Sequence, residues 1–142
     1  MFKYWAILIA FLLIACKHQH PDHSHHVHDK NENTSPLYNE VMAIHDAVMP
    51  EMTTIHKLKK ELKAIENPNA KSIILDNIKD LNDADEAMMT WMADFKVPDD
   101  KSQEESYLQA EKVKIQAVSD QMYGAMKTAA TLIDSLKSSP IK

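Results

Sequence analysis

The chain of 142 residues holds one glycine, one cysteine and no arginine, and each scarcity removes a class of chemistry. Phosphate-cradling loops, dinucleotide fingerprints and the nucleophile elbow need two or more glycines close together, and Gly124 stands alone. With Cys16 as the single thiol, an internal disulfide, a c-type haem attachment and a cysteine-rich metal knuckle are excluded. All 16 basic residues are lysine, set against 21 acidic ones for a formal charge of −5. There is neither a bidentate phosphate clamp nor a basic field, so nucleic acid is not an expected partner.

The chain does contain one apolar run, Tyr4 to Ala15, behind the short n-region Met1 to Lys3. Its length suits a signal h-region and falls short of the ~20 residues that span a bilayer. The run closes on Leu13-Ile14-Ala15-Cys16, the pattern of a bacterial lipobox: a branched apolar residue, a small residue at the cleavage position, then the lipid-accepting cysteine. Residues 1–15 therefore read as a lipoprotein signal peptide and Cys16 as the lipidation site. Cleavage there leaves 15 lysines against 21 acidic residues. Acyl chains on Cys16 would anchor the protein to a membrane, each buried methylene contributing ~0.8 kcal/mol. Lys17 follows the cysteine where aspartate would direct inner-membrane retention, so the expected location is the cell envelope, at the outer membrane.

Residues 16–35 form a polar segment with neither helical nor alternating period, read as a disordered tether with a reach of ~25 Å. Six of the eight histidines lie in it: His18, His20, His23, His25, His26 and His28. Neutral imidazole is the commonest transition-metal ligand, and this density lets several rings reach one ion without a preformed fold. Weak, exchangeable binding of Zn²⁺, Cu²⁺ or Ni²⁺ is the expectation. No cofactor is required, and a flexible segment cannot hold an open catalytic position in fixed geometry.

From residue 36 the pattern is helical. Ser35-Pro36 supplies an N-cap and a first-turn proline. Val41, Ile44, Val48, Met52, Ile55, Leu58, Leu62 and Ile65 step by three and four along one face, with a kink expected at Pro50. Asn67-Pro68 ends this helix near Glu66 and caps the next. The second helix carries Ile74, Ile78, Leu81, Ala84, Met88, Trp91 and Phe95, with Trp91 expected to be buried. After Val97-Pro98-Asp99-Asp100, Ser102 and Glu105 read as a capping box. The third helix follows Leu108, Glu111, Ile115, Val118, Met122, Ala125, Ala129, Leu132 and Leu136, a coiled-coil-like seam with one charged member. Two short connections force antiparallel neighbours, so residues 36–142 are expected to form an all-α, antiparallel three-helix bundle.

Beside the core face of the first helix runs a second stripe: Met42, His45, Met49, Met52 and His56. Thioether and imidazole together are ligands for copper, which makes His45, Met49, Met52 and His56 candidate metal ligands. Packing around the Pro50 kink is the stronger expectation for them, since methionine fills irregular cores. Met88, Met89 and Met92 around Trp91 form a cluster that would suit either the core or a partner protein's surface. His45-Asp46 resembles the adjacent pair of metal-dependent phosphohydrolases, yet the folded part has only His56 besides, and no serine is placed beside either histidine. No catalytic residue is assigned.

The lipobox, the stretch LYNEVMAIHDAVMPEMTTIHKLKKEL from Leu37 and the stretch AMMTWMADF from Ala87 together resemble small lipoproteins of the Bacteroidota, especially flavobacteria. Members often carry the label "viral A-type inclusion protein". The resemblance covers residues 37–135, and its most specific parts are His45 to Met52 and Met88 to Phe95. It departs at Ala93, near which relatives are expected to carry a basic residue. It implies an envelope location and a helical fold, and it supplies no catalytic residues. The expectation is thus a non-enzymatic, lipid-anchored envelope protein that binds transition metal through its tether. The alternative is a scaffolding lipoprotein whose bundle binds a protein partner or a second copy of itself.

Overall fold

A computed structural model describes residues 35–138. The signal peptide, Cys16 and the tether histidines His18, His20, His23, His25, His26 and His28 lie outside the described residues. Those described are about 89% helical and contain no strand, so the fold is all-α. None of their helices is long and apolar enough to cross a membrane.

Helix α1 spans Pro36–Val48, a 3₁₀ turn spans Met49–Glu51 and α2 spans Met52–Lys63. A second 3₁₀ turn, Pro68–Ala70, leads into α3, Lys71–Asp94, and α4 runs Lys101–Ser138. The boundaries have local causes. Ser35 accepts a hydrogen bond from the Tyr38 amide at 3.2 Å, and Pro36 sits where a missing N–H costs nothing. Asn67 Oδ1 accepts from the amides of Asn69 and Ala70 at 3.1 and 3.3 Å, the cap its position predicts. Helix α2 stops at Lys63, earlier than the expected Glu66, because the chain already turns there, with the Ile65 amide bonded back to the Leu62 carbonyl.

The expected capping box at Ser102 is not what starts α4. Asp100 does so: its Oδ1 accepts from the Ser102 amide at 2.9 Å and the Ser102 hydroxyl at 2.8 Å, while its Oδ2 accepts from the Gln103 side chain at 3.0 Å. A charged acceptor at the N-terminus also meets the helix dipole, an advantage that the serine hydroxyl lacks. These bonds, the Ser102 hydroxyl first, hold the Asp100 carboxyl below its ordinary range.

The core of the first two helices is a strict seven-residue series, Val41, Val48, Ile55 and Leu62, each with no exposed surface. That series passes unbroken through the Pro50 turn. Helix α3 buries Ile74, Leu81, Ala84, Met88 and Trp91, together with Asn77. Ile78, expected at this level, is only partly buried. Steps of three and four from Ile74 reach either position, and periodicity alone favours the apolar one.

Helix α4 departs further. Ser119, Met126 and Ile133 are buried where Val118, Ala125 and Leu132 were expected, and the latter three are only partly covered. The reason is that α4 packs against α1, α2 and α3 at once, so its apolar stripe must be wider than a two-helix seam. Ion pairs mark one flank: Lys112 donates to Glu40 at 2.7 Å and Lys137 to Glu61 at 2.9 Å. The other flank of the first two helices meets α3. Along it, as the chain advances from Tyr38 through His45 to His56, the partners run backwards from Phe95 through Trp91 to Asp85.

Candidate functional site

Side chains of α1, α3 and α4 converge on Trp91. Its ring stacks on Phe95 with centroids 4.8 Å apart, and His45 lies 5.6 Å away on another side. Phe95 in turn meets Tyr38 at 6.1 Å and Tyr107 at 6.0 Å. The Tyr107 hydroxyl accepts from the Lys96 amide at 2.6 Å, which satisfies a donor just beyond the end of α3. Aromatic rings at these spacings contribute by edge and offset contacts beyond the area they bury.

Glu111 is the polar centre of this cluster. It is 4% exposed, and both of its oxygens are engaged. Trp91 Nε1 donates to Oε2 at 2.9 Å and Lys114 Nζ donates to Oε1 at 2.7 Å. A carboxylate removed from water needs such partners, because an unpaired buried charge costs several kcal/mol. The same contact holds the Lys114 ammonium above its ordinary range, through the hydrogen bond first and the attraction of Glu111 second. Outside this pair an open groove of about 620 Å³ runs between α3 and α4, with Asp83, Glu86 and Asp94 on its α3 side. The Asp83 carboxylate is engaged by Lys79 one turn away.

The two histidines of the folded part go separate ways. His45 has a side chain 16% exposed, rests against Trp91 and pairs through Nδ1 with Asp46 Oδ1 at 2.9 Å. His56 lies eleven residues on, ~16 Å along the helices. Its side chain is 61% exposed, and Nδ1 is 3.9 Å from Asp85 Oδ2, an oxygen already bonded by Lys59 at 2.8 Å. No single centre gathers both rings. Met49 and Met52, between them, are partly buried against the core. Among the described residues no group of three or more His, Cys, Asp or Glu side chains could hold a metal ion.

Trp91 is 6% exposed, which agrees with the burial expected for it and commits the ring to the core instead of to a partner's surface. What sequence reasoning missed is its bond to Glu111. The available signal was the one charged member of an otherwise apolar seam, facing a helix that carries a tryptophan donor.

No family model, curated protein or solved structure matches this chain.

Proposed function

We propose that this chain is a non-enzymatic, lipid-anchored protein of the cell envelope, held at the outer membrane through Cys16, whose histidine-rich segment loosely binds transition metal. The resemblance to small Bacteroidota lipoproteins belongs to the same reading. So does the arrangement of residues 36–142 as an antiparallel three-helix bundle, in which α1 and α2 together form one kinked arm. The contact order supports that arrangement. Pairs Glu40–Lys112 and Glu61–Lys137 ascend together, while Tyr38–Phe95 and His56–Asp85 run in opposite senses.

The observation that carries the metal reading is the division of the histidines. His45 pairs with Asp46 against Trp91 while His56 stands apart beside Asp85, and the six between residues 18 and 28 are the dense imidazole set of the chain. Ligating rings must be neutral, and a free imidazole has a pKa of ~6.5, so uptake holds at pH 7.5 and fades as pH falls through about 6.

Two readouts on the full chain test the proposal. Fatty-acid labelling should be lost in Cys16→Ala. Calorimetry of the detergent-solubilised protein with Zn²⁺ at pH 7.5 should show uptake that disappears when His18, His20, His23, His25, His26 and His28 are replaced by Ser. Equal uptake by parent and variant would leave the segment as a spacer and favour the scaffolding alternative.

A further inference from the structure

Helix α3 turns Ile74 and Leu81 into the core, yet Leu75, beside Ile74, is 56% exposed. Leu75 follows Lys71 by four residues and precedes Ile78 by three, so these three share one face of the helix. That face borders an open groove of about 500 Å³ at the elbow between α2 and α3, which Ile65 and Pro68 also line. Ile65 and Ile78 are only partly buried. Pro68 belongs to the 3₁₀ turn whose amides Asn67 caps, so one rim of the groove is fixed before anything enters it. Apolar surface left in contact with water at such a place gains by being covered.

The charged rim carries both signs. Lys63, Glu66 and Lys71 all line the groove and are exposed. Among the described residues none of these three has an ion-pair partner, whereas nearby Lys59 is held by Asp85 and Glu61 by Lys137. The mixture of signs discriminates between occupants. An anionic amphiphile or lipid surface would meet Glu66, and a basic peptide would meet Lys63 and Lys71. A fitting partner must bring an apolar face with a base opposite Glu66 and an acid opposite Lys71. A second copy of this chain does so by identity, because about a two-fold axis each copy's Glu66 lies against the other's Lys71.

We propose that this groove is an isologous interface through which two copies of the chain associate, with Leu75 in its apolar centre and the two Glu66–Lys71 pairs at its edge. The apolar floor supplies the attraction. The pairs fix the register, since exposed ion pairs add little affinity while like charges brought together are strongly unfavourable. A patch of this size gives a weak, reversible dimer. The interface uses neither the histidine-rich segment nor Cys16, so it stands or falls apart from the metal and the anchor.

Sedimentation of the detergent-solubilised full chain over a range of protein concentrations, with the detergent density-matched, tests the proposal. The parent should pass reversibly from monomer to dimer. Leu75→Asp should raise the dimer Kd at least roughly tenfold, with helical circular dichroism unchanged because the side chain is exposed in the monomer. Glu66→Lys and Lys71→Glu each make both pairs like-charged, and each should raise Kd at least roughly tenfold. The two substitutions combined in one chain restore opposite charges and should restore association. Mixing the two single variants is the sharpest readout. One copy is then basic at both positions and the other acidic, so differently tagged copies should form heterodimers where neither variant pairs with itself. The proposal is overturned if the parent stays monomeric at every concentration, if Leu75→Asp dimerises like the parent, or if the mixed variants form no heterodimer. Tighter association of Glu66→Lys would also overturn it, since an anionic occupant such as a lipid headgroup would then be bridging the copies.

Discussion

Two buried polar residues, at opposite ends of α3's contact face, receive opposite treatment. At the aromatic end Glu111 brings a carboxylate to a position 4% exposed and retains a donor for each oxygen, one from α3 and one from its own helix. Fourteen residues before Trp91, Asn77 is 6% exposed and only half satisfied. Its Nδ2 donates to the Ile73 carbonyl at 2.8 Å, while its buried Oδ1 has no hydrogen-bond partner among the described residues. The first arrangement ties two helices together through a charge-assisted bond. The second is a local amide that bonds its own helix and leaves an acceptor in apolar surroundings. A buried polar group therefore stabilises this fold where another element completes it, and costs stability where none does.

The largest expected effect comes from breaking the satisfied end. Trp91→Ala removes a core side chain and the Glu111 donor together, and should cost ~3 to 5 kcal/mol in chemical denaturation. Trp91→Phe separates the two contributions. It keeps most of the ring and deletes the donor, and should cost about 1 to 3 kcal/mol. If Trp91→Phe unfolds like the parent, the bond to Glu111 contributes nothing net and the contrast with Asn77 collapses.

The next effect has the opposite sign. Asn77→Leu should stabilise the protein by about 1 to 2 kcal/mol, because it removes an unsatisfied acceptor and adds apolar volume to the seam. A loss of stability would mean that Oδ1 has a partner in solution. Size-exclusion chromatography of the same variant checks whether the amide also restricts register, since a polar residue in an apolar seam can select one alignment.

The smallest effect lies at the exposed start of α4. The Asp100 carboxyl is held below its ordinary pKa of 3.8, so its contribution to stability is fully present above that value and is lost as pH falls through the depressed folded-state pKa. Asp100→Ala should lower the melting temperature at neutral pH, and the gap to the parent should close as acid titrates the native cap. An equal gap at pH 2 and pH 7 would show that the cap acts through its geometry and not its charge. The same measurement on Trp91→Phe should show a buried-end effect that dwarfs it.

Some of this was legible in residue order because it depends on neighbours within a few positions. Caps at Ser35 and Asn67, the interruption at Pro50, the helical class and the burial of Trp91 follow from local bonding and a periodic apolar face. The cap at Asp100 was misplaced by two residues because serine and aspartate both suit that role, and the carboxylate is the stronger acceptor. The wider stripe of α4 was hidden for a different reason. Periodicity reports that a face is apolar but not how many partners cover it.

By itself, the sequence determined that most of residues 36–138 would be helical, with breaks before Pro68 and around Pro98, since that requires only propensity, capping and a repeat of 3.6. Tertiary structure alone decided which of two adjacent positions enters the core, as with Asn77 over Ile78 and Ser119 over Val118. It alone decided that Glu111 would meet Trp91 and that His45 and His56 would part. Those outcomes depend on the rotation and register of one helix against another. They are set by side chains distant in the chain, whose contacts no local pattern encodes.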